Sequence, residues 1–98
     1  MYNSKYAVDQ CIFFLDGKDL TNYKFLTIIE RVRHHTDRKG GKMAFIAVSD
    51  SSYMIENCVI FASTYKNFGH LIEEGNVVMM SGKKSGNSFL INKVYGLN

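Results

Sequence analysis

The side chains best able to do chemistry in this 98-residue chain are bases grouped around one aromatic ring. In "TDRKGGKMAFIAVSD", residues 36 to 50, Arg38, Lys39 and Lys42 surround a glycine pair and stand shortly before Phe45. Arg31, Arg33 and His35 precede them at alternate positions, and a second cluster, Lys83 and Lys84 with Asn87, lies in "GKKSGN". Guanidinium and ammonium groups hold phosphates, and an outward aromatic face stacks on an unpaired base. The competing reading is a set of solvated turns and an edge strand kept soluble by charge. A net charge of +3 decides nothing between them; the grouping of the bases does.

Other chemistries find little support. His34 and His35 are adjacent, so on a strand they point to opposite faces and cannot chelate one ion together. Cys11 and Cys58 form no CxxC pair and read as buried free thiols, so no metal and no cofactor is expected. Asp37 and Asp50 flank an apolar run and read as turn residues that bond their own backbone. Gly41-Lys42 is followed by Met43 where a P-loop needs Ser or Thr, and no catalytic residue is expected. No apolar run approaches the roughly 18 to 20 residues of a membrane span, and the start lacks a secretory pattern. The expectation is a cytoplasmic protein with no membrane partner.

Glycine turns at Asp16-Gly17, Gly40-Gly41, Gly75-Asn76 and Gly86-Asn87 divide the chain into lengths that suit strands. Residues 25 to 35 read as a half-buried strand with Leu26, Ile28 and Val32 on one parity and Thr27, Arg31, Arg33 and His35 on the other, slipping at Ile28-Ile29 as at a bulge. Residues 42 to 49 place Ala44, Ile46 and Val48 on the core face and Phe45 outward. Residues 53 to 61 read as a third strand interrupted at Glu56-Asn57. Helical spacing of Tyr65, Phe68, Leu71 and Ile72 follows, with Ser63 as N-cap and Gly75 as the stop. Strands at 77 to 81 and 88 to 95 complete the order β-β-β-α-β-β.

That order predicts an all-β fold with one helix, the five-stranded OB barrel, occupying residues 23 to 98 behind a helical or irregular extension at 1 to 22. OB folds bind oligonucleotides on strands 2 and 3 and with the loops joining strands 1-2 and 4-5. Both of those loops are basic here, and they are expected to meet beside Phe45 in one cationic groove.

The stretch "TDRKGGKMAFIAVSD", the later "TYKNFGHLIEEGNVVMMSG" and the upstream "FFLDGKDLTNY" resemble the OB domain of the bacterial DNA polymerase III alpha subunit. The resemblance implies a module that engages single-stranded template, with polymerisation performed by a palm domain that these residues do not contain. Likeness to anticodon-binding OB domains implies that Phe45 stacks a base. The partners expected are therefore single-stranded DNA, RNA as an alternative, or other replisome subunits through a protein-binding OB surface.

Overall fold

The computed structural model describes residues 8–97. What is expected of residues 1–7 lies outside the described residues. Five strands, β1 (Asn22–Thr36), β2 (Lys42–Ser49), β3 (Met54–Ile60), β4 (Val77–Ser85) and β5 (Ser88–Gly96), close into a barrel in the order β1-β2-β3-β5-β4. All neighbouring pairs are antiparallel except β3 and β5. The long first strand closes the barrel because its first half pairs with β4 and its second half with β2. A short helix α1 (Ile12–Leu15) precedes the barrel, and α2 (Ala62–Phe68), extended by a 3-10 turn at Gly69–Leu71, joins β3 to β4.

Side-chain alternation decides what each strand buries. On β2, Ala44, Ile46 and Val48 are buried and Phe45 is half-buried on the outer surface, as the alternation predicts. On β1 the expected parity is reversed before the bulge. Phe25, Thr27 and Ile29 point inward, while Leu26 and Ile28 face out. The register shifts between Ile29 and Arg31, so that beyond it Arg31, Arg33 and His35 become the outer set. The extra residue opposite β2 in the third strand falls at Glu56-Asn57, where consecutive polar residues interrupt the pattern.

The described residues before β1 pack against the barrel. Phe14 enters the core edge-on to Phe25 and Phe89, with centroids 6.4 and 5.7 Å away, and Tyr23 stacks on Phe25 at 5.3 Å. Asp50 ties this segment down by accepting the Cys11 N–H at 2.9 Å, and Ser52 Oγ accepts the Ile12 N–H.

Two further expectations are corrected. The helix between β3 and β4 starts at Ala62 with Phe61 in the N-cap position, ahead of Ser63. "GKKSGN" is no loop: β4 runs through Lys83, Lys84 and Ser85, and the turn is Gly86-Asn87 alone. Gly82 lets this happen, since a Cβ there would lie 2.3 Å from the Leu90 carbonyl oxygen across the hairpin.

Candidate nucleic-acid interface

Strand registers place five residues in one row around the barrel: Arg33 beside Phe45, Phe45 beside Val59, Val59 beside Leu90, and Leu90 beside Lys83. All have outward parity. Phe45, Val59 and Leu90 are half-buried, and the two bases at the ends are exposed. Strands are spaced about 4.8 Å apart, so Lys83 lies about 14 Å from Phe45 along the wall. The result is an apolar platform with a cation at each end.

The ring of Phe45 is held in place by its neighbours. The Arg33 guanidinium is 5.9 Å from its centroid and the His35 imidazole meets it at 6.0 Å, tilted by 62°. A concavity of ≈ 340 Å³ opens beside it, walled by Arg31, Arg33, Phe45, Asn57, Val59 and Ser88. Glu56 is the acid in this basic surrounding, 3.8 Å from Arg31 with both side chains largely exposed. A second concavity of ≈ 190 Å³ shares Glu56 and Asn57 and reaches Tyr53 and Asn87, so the surface continues toward the β4–β5 turn.

The remaining expected residues divide. Arg38 and Lys39 are exposed in a tight turn fixed by Asp37, whose Oδ1 accepts the N–H groups of Lys39 and Gly41 at 2.9 and 2.7 Å. Gly40 takes φ +83°, which a residue with a Cβ adopts only under strain. Lys42 has inward parity at the barrel mouth, and its ammonium sits 5.6 Å from the Tyr65 ring on α2, away from Phe45. Tyr65 also meets His34, whose Nε2 is 3.0 Å from its hydroxyl. The adjacent histidines thus serve opposite faces.

Lys84 does not belong to the surface. Its side chain is buried, and Nζ donates to the carbonyl oxygens of Phe14 at 2.6 Å and Leu15 at 3.3 Å. The expectation that two basic loops meet in one groove is also corrected. β5 runs parallel to β3, so the Gly86-Asn87 turn lies toward the Met54 end of the face and the Asp37–Gly41 turn toward the Ile60 end, with the Phe45 row between them. Val59 and Leu90, the middle of the platform, were not legible as functional residues; only the register distinguishes them from core.

The structure is similar to that of the mitochondrial single-stranded DNA binding protein Rim1 from S. cerevisiae, with a TM-score of 0.62 over 83% of this chain and 97% of that one at 13% identity, a likeness of fold. No curated protein sequence matches the chain. The family model for the OB-fold nucleic acid binding domain matches residues 26–88. That span takes in Arg33, Phe45, Val59 and Lys83 of the row and both turns beside it, and the chain belongs to the family of OB-fold nucleic acid binding domains.

Proposed function

We propose that this domain binds single-stranded nucleic acid, DNA by preference, across the Phe45 row. The observation that carries the reading is the row itself: a half-buried Phe45–Val59–Leu90 platform ended by Arg33 and Lys83. Bases lie on the platform, while phosphates contact the terminal cations and Arg38 and Lys39 in the adjoining turn. A duplex has no free base face to offer such a platform, so single strands are preferred. Sequence preference is slight, because stacking accepts every base.

The sequence likeness at Thr36–Phe45 supports a finer assignment, to the template-binding module of a polymerase III alpha subunit or a free-standing relative working in the cytoplasm. The test is a fluorescence anisotropy titration of labelled oligo-dT, its RNA counterpart and an equal length of duplex at several salt concentrations. With on the order of four phosphates held, log K falls with log salt at a slope near −3. Binding indifferent to salt, or tighter for duplex, overturns the reading; tighter binding of RNA reassigns the site to RNA, since the 2′-hydroxyl is the group that differs.

A further inference from the structure

The outer surface of β1, β4 and β5 carries a second patch, remote from Phe45. Registers set Leu26 beside Met79 and Met79 beside Tyr95, and in the next outward row Ile28 beside Val77, with Leu97 just beyond the end of β5. Ile28 is 37% exposed, Val77 51%, Tyr95 38% and Leu97 41%, so the apolar groups face solvent over several adjacent strands. Large contiguous apolar patches on a soluble domain mark interaction surfaces.

The charges around the patch identify what covers it. Along the outer face of β1 the sequence reads Lys24, Leu26, Ile28, Glu30: a cation, two apolar residues and an anion at alternate positions. This order is complementary to itself when reversed. A two-fold axis lying across the strand between Leu26 and Ile28 brings Lys24 over Glu30 of the partner subunit and Leu26 over Ile28 of the partner subunit. The same axis lays Met79 over Val77 of the partner subunit, because β4 repeats the register of β1. Neither Lys24 nor Glu30 has an ion pair within the subunit among the described residues; the Glu30 carboxylate accepts only from Ser49 Oγ.

We propose that this face is a homodimer interface, occupied by a second copy of the same chain in an isologous, antiparallel arrangement of the two β1 strands. Phe45 and Val59, on β2 and β3, then lie outside the covered face.

The experiment is sedimentation equilibrium of the intact chain from micromolar to hundreds of micromolar, with Lys24→Glu, Glu30→Lys, their mixture, and Val77→Lys. The wild type dimerises. Val77→Lys, which buries a charge at each of two symmetric positions, weakens the dimer by at least roughly tenfold. Lys24→Glu and Glu30→Lys each repel their own kind, so each is monomeric alone. Mixed together they recover a heterodimer, since every facing pair again has opposite sign. Unchanged circular dichroism and oligo-dT affinity per subunit establish that each variant is folded. A wild type monomeric throughout the range overturns the proposal, as does a dimer insensitive to Val77→Lys or a mixture that stays monomeric. Association with a different protein through the same face, in a chain that does not self-associate, overturns it too.

Discussion

Lys84 Nζ donates a hydrogen bond to the Phe14 carbonyl oxygen at 2.6 Å and lies 4.8 Å from the centroid of the same residue's ring. The lysine thus ties the end of α1 to β4, and its side chain is buried between them. Lys83, the next residue back, points to solvent at the end of the Phe45 row. The two lysines should separate cleanly under mutation. Lys84→Met keeps the stem but leaves the Phe14 and Leu15 carbonyls without their charged donor, and a loss of about 2 kcal/mol is expected in urea denaturation. Oligonucleotide affinity of the folded fraction should be unchanged. Lys83→Met should leave stability alone and reduce the salt slope by about 0.7, the contribution of one phosphate contact on a single strand.

Phe45 is the ring on which binding is expected to depend most. Truncation in Phe45→Ala removes a stacking surface whose loss costs about 1 to 3 kcal/mol of affinity in comparable sites. The side chain is half-buried on the outer wall, so the melting temperature should move little. Phe45→Tyr should restore binding, whereas Phe45→Leu should restore only part of it, because the leucine is apolar without a flat face. Equal affinity for Ala and Tyr variants in an anisotropy titration would remove stacking from the account.

Glu56 stands against the charge of its surroundings, and it spends that charge on Arg31 at 3.8 Å. An exposed pair of this kind contributes about 0 to 1 kcal/mol to stability. Its effect on the proposed binding is expected to be larger, since it pairs with a guanidinium beside the Phe45 concavity and would repel phosphate. Glu56→Gln is therefore expected to tighten oligo-dT binding several-fold at low salt and to steepen the salt slope, with the gain fading as salt rises. The double variant with Arg31→Gln should lose most of that gain. An affinity unchanged by Glu56→Gln would mean that nucleic acid does not approach this part of the face.

The sequence carried the architecture because it is written in alternation and turns: Ala44, Ile46 and Val48 against Phe45, and Gly86 at the last hairpin turn, although the helix ends at Phe68 and its 3-10 extension at Leu71, ahead of the stop expected at Gly75. It misled where a local feature was overruled by a partner distant in the chain. The outward parity of Leu26 and Ile28 follows from a bulge past Ile29, and Thr27, which reads as a polar surface residue, is buried in the barrel. Lys84 reads as surface charge because its acceptors, Phe14 and Leu15, lie about seventy residues away. Val59 and Leu90 sit in apolar strands where only register tells platform from core. Tyr65 fits a helical stripe, yet the structure uses its ring and hydroxyl at the barrel mouth with Lys42 and His34.

Asp50 couples the fold to pH. Burial by itself would raise its carboxyl, but hydrogen bonds from the Ser52 hydroxyl and N–H and from the Cys11 N–H outweigh that effect and hold it below the ordinary carboxylate value of 3.8. Tyr53 N–H donates to the same group at 3.1 Å. The folded chain therefore binds the proton more weakly than the unfolded chain. A depressed carboxylate pKa stabilises the fold fully above the unfolded value and loses that contribution as pH falls through the folded value. Stability should be flat in this residue's contribution near neutrality and decline below pH 3.8. Asp50→Asn replaces one acceptor oxygen with a donor that faces the Cys11 or Ser52 amide, which should cost about 1 kcal/mol at neutral pH, given the partial exposure of the site. Because the variant cannot titrate there, its decline in acid should be shallower, so the two stability curves should converge as pH falls. Urea denaturation of both proteins at neutral pH and at intervals below pH 4 checks this; parallel curves would show that Asp50 is not a source of the acid sensitivity.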